Sequence, residues 1–394
     1  MREAPPASPL RLLFHYPVLN RGGAEKSLLR LMAGLAGRGC EVHLVLTSPG
    51  GALEPEVDPR VRIWHLRKIR MRAPKGRSRL AHALGLPTQA ARRAAAWLQE
   101  SGQRRRFRGM TFDAAFAGLT GLSPDFICNA VDARRRFVFV RNDPVADRDG
   151  RWAANIRRFH TRIDAYVCVS KYVRDALAAR FPEIADKSAC IYNLLDPQAM
   201  RNKAAGQPNP FAEDGEGIRV LSVCRLQEAP KGLLRMVEVH RRLLDAGLPH
   251  VWHVLGDGPD RSLLERAIDA QGVTASFKLH GAVANPFPYY KHADICAVLS
   301  RYEGLCGVVN EARVLERPVI ATRFSGIEEQ IESGVNGLIV EQGVAAICEG
   351  LALLICDAGL RERLGQGGYP AELLDDVAKL ECIESLIDEG VKSP

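Results

Sequence analysis

The stretch Ser300–Val340 reads SRYEGLCGVVNEARVLERPVIATRFSGIEEQIESGVNGLIV. It sets Glu303 and Glu311 with seven residues between them, and Gly304 and Gly307 just after the first. An apolar run, Ile295–Leu299, leads into it, and a second, Pro318–Thr322, follows. Strand, glycine-rich turn, helix and strand is the order this pattern predicts. The unpaired amides at a helix start favour anions and hydroxyl oxygens. Glycine lets the backbone come close to a ligand. Glu311, about one turn into the helix, can grip a diol through two charge-assisted hydrogen bonds. A bare pair of glutamates at this spacing would be an ordinary helix entry with two surface carboxylates. The flanking strands and the glycines favour a ligand site instead.

Outward from this stretch the chain alternates strands and helices. Apolar runs at 12–16, 41–47, 114–117, 136–141 and 165–170 read as strands. Helical patterns fall at 24–38 and 171–180, the second with Ser170 as its N-cap. From 193 to 217 the sequence NLLDPQAMRNKAAGQPNPFAEDGEG carries proline, glycine and acids without a period. The alternation then restarts at Ile218. We therefore expect an α/β protein of two doubly wound, Rossmann-like domains facing a central cleft. The expected division is an N-terminal acceptor-binding domain over 1–195, a linker over 196–217 and a donor-binding domain over 218–370. A C-terminal helical segment over 371–394 is expected to pack back on the first domain.

Ligands of open parallel sheets lie beyond the carboxyl ends of the strands, so the turns there carry the chemistry. Arg225 stands at the end of the 218–224 strand and Lys231 at the start of the next helix. Two cations at an amide-rich turn suit a diphosphate on which negative charge builds as a bond breaks heterolytically. Cations on a solvated loop are the plain alternative. In the first half, Gly22 and Gly23 form a turn between strand and helix, weak evidence taken alone.

Taken together, these segments resemble the retaining glycosyltransferases of family 4, which have the GT-B architecture. The resemblance is dense from Val220 to Val340 and thin from Arg60 to Ala130. It implies that Glu303 and the amides of Gly304, Leu305 and Cys306 contact the transferred sugar, and that Glu311 binds the ribose. It also implies that Arg225 and Lys231 bind the diphosphate, and that Gly22 and Gly23 lie near the donor phosphates or the acceptor. The backbone at Gly281 is implied to hold the nucleotide base. Glu303, Arg225 and Lys231 are the expected catalytic set. Cys306 and Cys224 depart from the family pattern, the first where the identity of the sugar is at stake. The Gly256–Pro259 turn and Glu328–Glu329 match family elements that are as readily structural.

The formal charge of +8 is uneven: residues 60–108 hold fifteen Lys or Arg and one acid, leaving the rest net negative. Trp64, Leu66, Ile69, Met71 and Trp97 are interleaved with these charges. A solvated arginine-rich face and an amphipathic patch on an anionic membrane surface both fit. Nucleic acid is not expected, because no RNA-binding fingerprint accompanies the charge. No run of about 18 apolar residues exists, and the N-terminus makes a poor signal peptide.

Ten scattered cysteines without metal spacing read as reduced thiols of a cytoplasmic protein, peripheral on the inner membrane face if the basic patch binds there. Asp147-Arg148-Asp149 reads as a chance Asp-x-Asp, so neither metal nor other cofactor is expected. Asp143 reads as a loop cap more than a base, and His15 as a core residue.

The expected activity is retaining transfer of a sugar from a UDP- or GDP-sugar to a glycan or lipid-linked acceptor, in cell-surface polysaccharide or lipopolysaccharide synthesis. Two alternatives stand beside it. One is a non-catalytic nucleotide-sugar or nucleic-acid binder on the same fold. The other is an epimerase or phosphorylase of like architecture.

Overall fold

The structure, a computed structural model, describes residues 9–20, 22–67, 100–107, 109–118, 124–147, 150–215 and 217–391. Most of the basic amphipathic stretch (68–99 and 108), and Arg148 and Asp149 of the Asp-x-Asp, lie outside them.

The chain divides into two units. The first takes in Met1–Val169, Arg174–Asn193 and Val377–Pro394, the second Ser170–Val173 and Leu194–Asp376. In the first unit β1 (Arg11–Tyr16), β2 (Glu41–Leu46), β3 (Arg62–His65), β4 (Thr111–Ala117), β5 (Asp132–Val140), β6 (Ala165–Cys168) and β7 (Ser188–Cys190) form one sheet. Its order is β3-β2-β1-β4-β5-β6-β7, and every pairing is parallel. Strands buried on both faces need near-continuous apolar sequence, which LLFHY and AAFA supply. Phe14 of β1 stacks on Phe116 of β4 with ring centroids 4.5 Å apart.

The second unit repeats the architecture with β8 (Ile218–Val223), β9 (His250–Leu255), β10 (Phe277–Gly281), β11 (Ile295–Val298), β12 (Val319–Thr322) and β13 (Leu338–Val340). The order is β10-β9-β8-β11-β12-β13, again all parallel. Trp252, fully buried, stacks on Phe277 at 5.9 Å. Its indole N–H donates to Ser222 Oγ at 3.1 Å, and that hydroxyl donates to Ala297 O at 2.8 Å. The indole N–H and the Ser222 hydroxyl, both buried, are thus satisfied.

Residues 196–217, expected to be a linker, belong to the second unit instead. They contain a helix, Pro197–Ala204, capped by Asp196 accepting from Ala199 N at 3.1 Å. Met200, Ala204 and Phe211 are buried in a cluster with Leu221 and Tyr290. Only Met200 and Ala204 of that helix are buried, so the sequence offered no longer period to read. At the other end, the helix Asp376–Glu389 lies almost wholly in the first unit, where Arg38 donates to Glu384 through Nε and Nη2 at 2.9 Å each. All ten cysteines are free thiols. No helix of the described residues is long and apolar enough to cross a membrane.

One buried pair gives the second unit a pH dependence. His240 and His250 meet at 2.8 Å beneath Trp252, and His240 also bonds Ser276 Oγ at 2.8 Å. Burial, then the neighbouring His250 and Arg241, push the His240 pKa from 6.5 to about 3. Burial lowers that of His250 as well. The unfolded chain takes up protons below about pH 6.5 and the folded one does not, so this stability is complete above that pH and is lost as pH falls towards 3. Urea unfolding should therefore show stability declining from pH 7 to pH 5, by at most about 1.4 kcal/mol per pH unit for each such histidine. A flat or rising profile would contradict the assignment.

Candidate active site

In both sheets the strand order reverses once, between β1 and β4 and between β8 and β11. Such a switch point opens a crevice beyond the strand ends, because the two crossovers leave in opposite directions. In the second unit β8 delivers Cys224–Gly232 to this point and β11 delivers Leu299–Cys306.

Several contacts fix the two turns against each other. Arg301 N donates to Pro230 O at 2.7 Å, and its guanidinium donates to Glu228 O at 2.7 Å and Glu228 Oε1 at 2.8 Å. Buried Arg235 donates through Nε to Leu299 O at 3.2 Å and through Nη1 to Gln342 Oε1 at 2.6 Å. Burial lowers the Arg235 pKa to about 10, so it stays charged at neutral pH. Gly232 makes this approach possible: its φ is +60°, and a Cβ there would lie 2.4 Å from Arg235 Nε. Ser300 O accepts from Thr322 Oγ1 at 2.6 Å and Gln342 Nε2 at 3.2 Å. Gly304 O accepts from buried Ser170 Oγ at 2.9 Å.

Held this way, Lys231 meets Glu303. The ammonium donates to Glu303 Oε1, and Ser300 Oγ donates to the same oxygen at 2.7 Å. Among the described residues Oε2 has no hydrogen-bond partner. Burial opposes the Lys231 charge most strongly, but the charge and hydrogen bond of Glu303, together with Cys306 and Cys224, leave the pKa raised overall. Cys224 and Cys306 line the same small pocket with Lys231, Ser300 and Glu303. Burial, with Glu303 adding to it, pushes the Cys306 thiol up to about 12; burial also takes Cys224 to about 11. Both are neutral thiols at physiological pH, without the thiolate character a nucleophile needs.

Glu311 lies in the helix Gly307–Val314, and Tyr290 OH donates to its Oε2 at 2.9 Å. Burial, then the Glu311 charge, raise the Tyr290 pKa, so the phenol remains a donor. Arg225 is exposed just past β8, and among the described residues its side chain makes no hydrogen bond or ion pair. The second unit thus gathers Glu303, Lys231, Gly304, Leu305 and Cys306 at one crevice. Lys231, expected with Arg225 at the diphosphate, is also the direct partner of Glu303. The Cys306 amide, expected to face a ligand, donates instead to Gln330 Oε1 at 2.9 Å. Among the described residues the amides of Gly304 and Leu305 have no acceptor.

Gly281 ends β10, which is separated from β11 by β9 and β8 in the sheet order, and its carbonyl accepts from Gly256 N at 2.7 Å. Gly256 is a structural necessity: at φ +134° a Cβ would fall 1.8 Å from Cys224 O. Gly22 and Gly23 lie in the first unit, at the entry to the helix Gly23–Gly37 that follows β1. Asp143 accepts from Val145 N at 2.9 Å as a loop cap. Asp147 accepts from Trp152 N at 3.0 Å and so caps the helix Arg151–Phe159. His15 is buried with its ring 4.7 Å from Phe126.

Three residues hold the structure in ways the sequence does not announce: Arg141 in the first unit, and Tyr290 and Gln330 beside the crevice of the second. Arg141, buried at the end of β5, donates to Gly118 O at 3.0 Å, Ser27 Oγ at 3.1 Å and Asn193 Oδ1 at 3.0 Å. An arginine ending the apolar run FVFV was its only signal. Tyr290 and Gln330 gave none.

Two family models match the chain: "Glycosyltransferase Family 4" over residues 21–199 and "Glycosyl transferases group 1" over residues 217–357. The chain belongs to the family 4 glycosyltransferases. It is 29% identical over 154 residues to the alpha-D-kanosaminyltransferase of Streptomyces kanamyceticus, covering 38% of this chain and 40% of that protein. It is likewise 29% identical over 151 residues to LpsE of Rhizobium meliloti, a lipopolysaccharide core biosynthesis glycosyltransferase, covering 38% and 43%. The matched region thus spans about two fifths of each of these relatives. Among solved structures, Anabaena HepE in complex with UDP and glucose has a TM-score of 0.72 at 16% identity, covering 96% of this chain and 99% of that one. The fold of this family 4 member is GT-B.

The ion pair at the crevice makes a prediction about stability. Lys231→Met removes a charged hydrogen bond from a largely buried carboxylate and should cost about 2 kcal/mol in urea unfolding. A double-mutant cycle with Glu303→Gln should give a coupling of at least about 0.5 kcal/mol. Strictly additive effects would mean that the pair does not hold the two turns together.

Proposed function

We propose that this glycosyltransferase moves a sugar, with retention of anomeric configuration, from a UDP- or GDP-sugar to a glycan or lipid-linked acceptor. The observation that carries the reading is the Glu303 turn. It presents one carboxylate oxygen and the Gly304 and Leu305 amides beside a paired lysine, at the switch point of a parallel sheet. In this reading Glu303 and the two amides hold hydroxyls of the transferred sugar, and Glu311 holds the ribose diol. Tyr290 occupies Glu311 Oε2 and leaves Oε1 its full accepting capacity. Arg225 and Lys231 face the diphosphate, and the site works without a metal because these cations carry the leaving-group charge.

The bond from the anomeric carbon to the phosphate oxygen breaks heterolytically, its electron pair going to that oxygen. The acceptor hydroxyl attacks on the face the phosphate leaves, and its proton passes to the departing phosphate oxygen. This is the route the family resemblance implies, and it needs no carboxylate nucleophile. The UDP and glucose bound by HepE support a nucleotide-sugar donor. The lipopolysaccharide role of LpsE supports a surface-polysaccharide acceptor. The basic stretch of 60–108 supports a peripheral position on the anionic inner face of the cytoplasmic membrane.

A panel of UDP- and GDP-sugars tests the donor site. A matching donor at about 100 times its Kd should stabilise the fold by about 2.7 kcal/mol, read as a rise in Tm. No response across the panel would overturn the reading. NMR of the product should show the donor's anomeric configuration retained. Conversion of the donor without an acceptor would favour an epimerase, and consumption of free phosphate a phosphorylase. Binding to anionic vesicles should weaken with salt and be lost on neutralising Arg67, Lys68, Arg70 and Arg72; salt-independent binding, or none, would remove the membrane assignment.

A further inference from the structure

Below the Glu303 turn lies a polar network inside an otherwise apolar cluster. Gln330 and Asn310 are essentially fully buried, and Cys306 nearly so. Gln330 Oε1 accepts from Cys306 N at 2.9 Å, and Gln330 Nε2 donates to Cys306 O at 2.9 Å. One amide side chain thus reads both backbone groups of one residue, which fixes its orientation without ambiguity. Gln330 Nε2 also donates to Asn310 Oδ1 and reaches Tyr369 OH at 3.2 Å, and that hydroxyl donates to Asn310 Oδ1. Three acceptors around two N–H groups leave no donor of the amide unused.

The network is anchored from two sides. Arg313, buried, donates to Leu364 O at 2.8 Å, Gly365 O at 3.0 Å and Gly368 O at 2.7 Å, which fixes the segment just before Tyr369. Asn310 N donates to Cys306 O at 3.3 Å as the first bond of the Gly307–Val314 helix. Gln330 therefore ties the last residue of the turn to the helix that carries Glu311.

We propose that Gln330 is a positioning residue that sets which backbone amides the transferred sugar meets. By taking the Cys306 amide for itself, it leaves Gly304 and Leu305 as the donors beside Glu303 Oε2. The inference rests on the donor-site reading above. A buried amide pair is also worth keeping only where the turn's exact shape matters, since an apolar residue at 330 beside a relaxed turn would fill the same core. Removing the side chain's polar atoms orphans the Cys306 N–H in a dry site and leaves its C=O with the Asn310 N–H alone, so the turn must move to recover the lost bond. Displacements of about 1 Å in such a turn can cost about a hundredfold in rate.

The test is a kinetic split on the full chain. Gln330→Leu should lower kcat at least tenfold and reduce the preference for the nucleotide-sugar over its nucleoside diphosphate, while the affinity for the diphosphate alone stays within twofold. Gln330→Glu keeps an acceptor for Cys306 N and should recover part of the loss. Tyr369→Phe removes one hydroxyl and no backbone contact, so it reports even if Gln330→Leu does not fold; it should lower kcat several-fold with the same split. Folded variants with kcat and sugar preference within twofold of wild type would overturn the role of Gln330 alone. A wild-type chain that binds neither diphosphate nor sugar conjugate would overturn the donor site itself, and this inference with it.

Discussion

The contact on which the second unit's site depends is the ion pair of Lys231 and Glu303. Each residue lies in the turn after one of the two strands that meet at the switch point, and the pair closes that point from both sides. A charge pair in a largely buried crevice is expensive to assemble, since both groups lose water. The surrounding bonds meet that cost by fixing geometry in advance. Arg301 holds the turn after β8, while Arg235, Thr322 and Gln342 hold the carbonyls of Leu299 and Ser300. With the backbone fixed, Ser300 Oγ adds a second donor to the oxygen that Lys231 already holds. The carboxylate is left with one committed oxygen and one presented.

The same logic runs through the rest of the crevice. Glu311 is also half-committed, with Tyr290 on Oε2. Cys306 is committed entirely, its amide and carbonyl on Gln330 and its thiol neutral. Preorganised donors and acceptors need no rearrangement when charge develops on a substrate, which is where most catalytic stabilisation originates. Polar groups in this crevice thus divide into those that hold the turn and those that, among the described residues, remain unpaired.

How far this was legible in the sequence follows from its physical origin. Alternating apolar runs and glycine-bounded turns encode the two parallel sheets, because strands buried on both faces leave a continuous apolar signature. The carboxylates Glu303 and Glu311 stand out only through their setting, a glycine-bearing turn between two buried strands; at a bare helix entry such a pair is ordinary. The short strand β3, with two exposed and two half-buried residues, had no such signature. The segment 196–217 was read as a linker because composition reports turns, not the two inward residues of a short helix. Contacts between distant positions were invisible in principle. Nothing in the sequence tells that Lys231 turns to Glu303, that Gln330 claims the Cys306 amide, or that Arg141 spans three elements of the first unit. These depend on where the sheet places its strand ends, which single residues do not record.

In the proposed site Glu303 meets the sugar and Glu311 the nucleotide. Calorimetric titration of a nucleoside diphosphate and its sugar conjugate into wild type, Glu303→Gln and Glu311→Ala tests it directly. Glu311→Ala should weaken both ligands by the same factor, at least tenfold, while Glu303→Gln, which also releases Lys231 from its ion pair, should weaken the sugar conjugate more than the diphosphate. Full affinity in Glu311→Ala, or an undiminished preference for the conjugate in Glu303→Gln, would contradict the assignment.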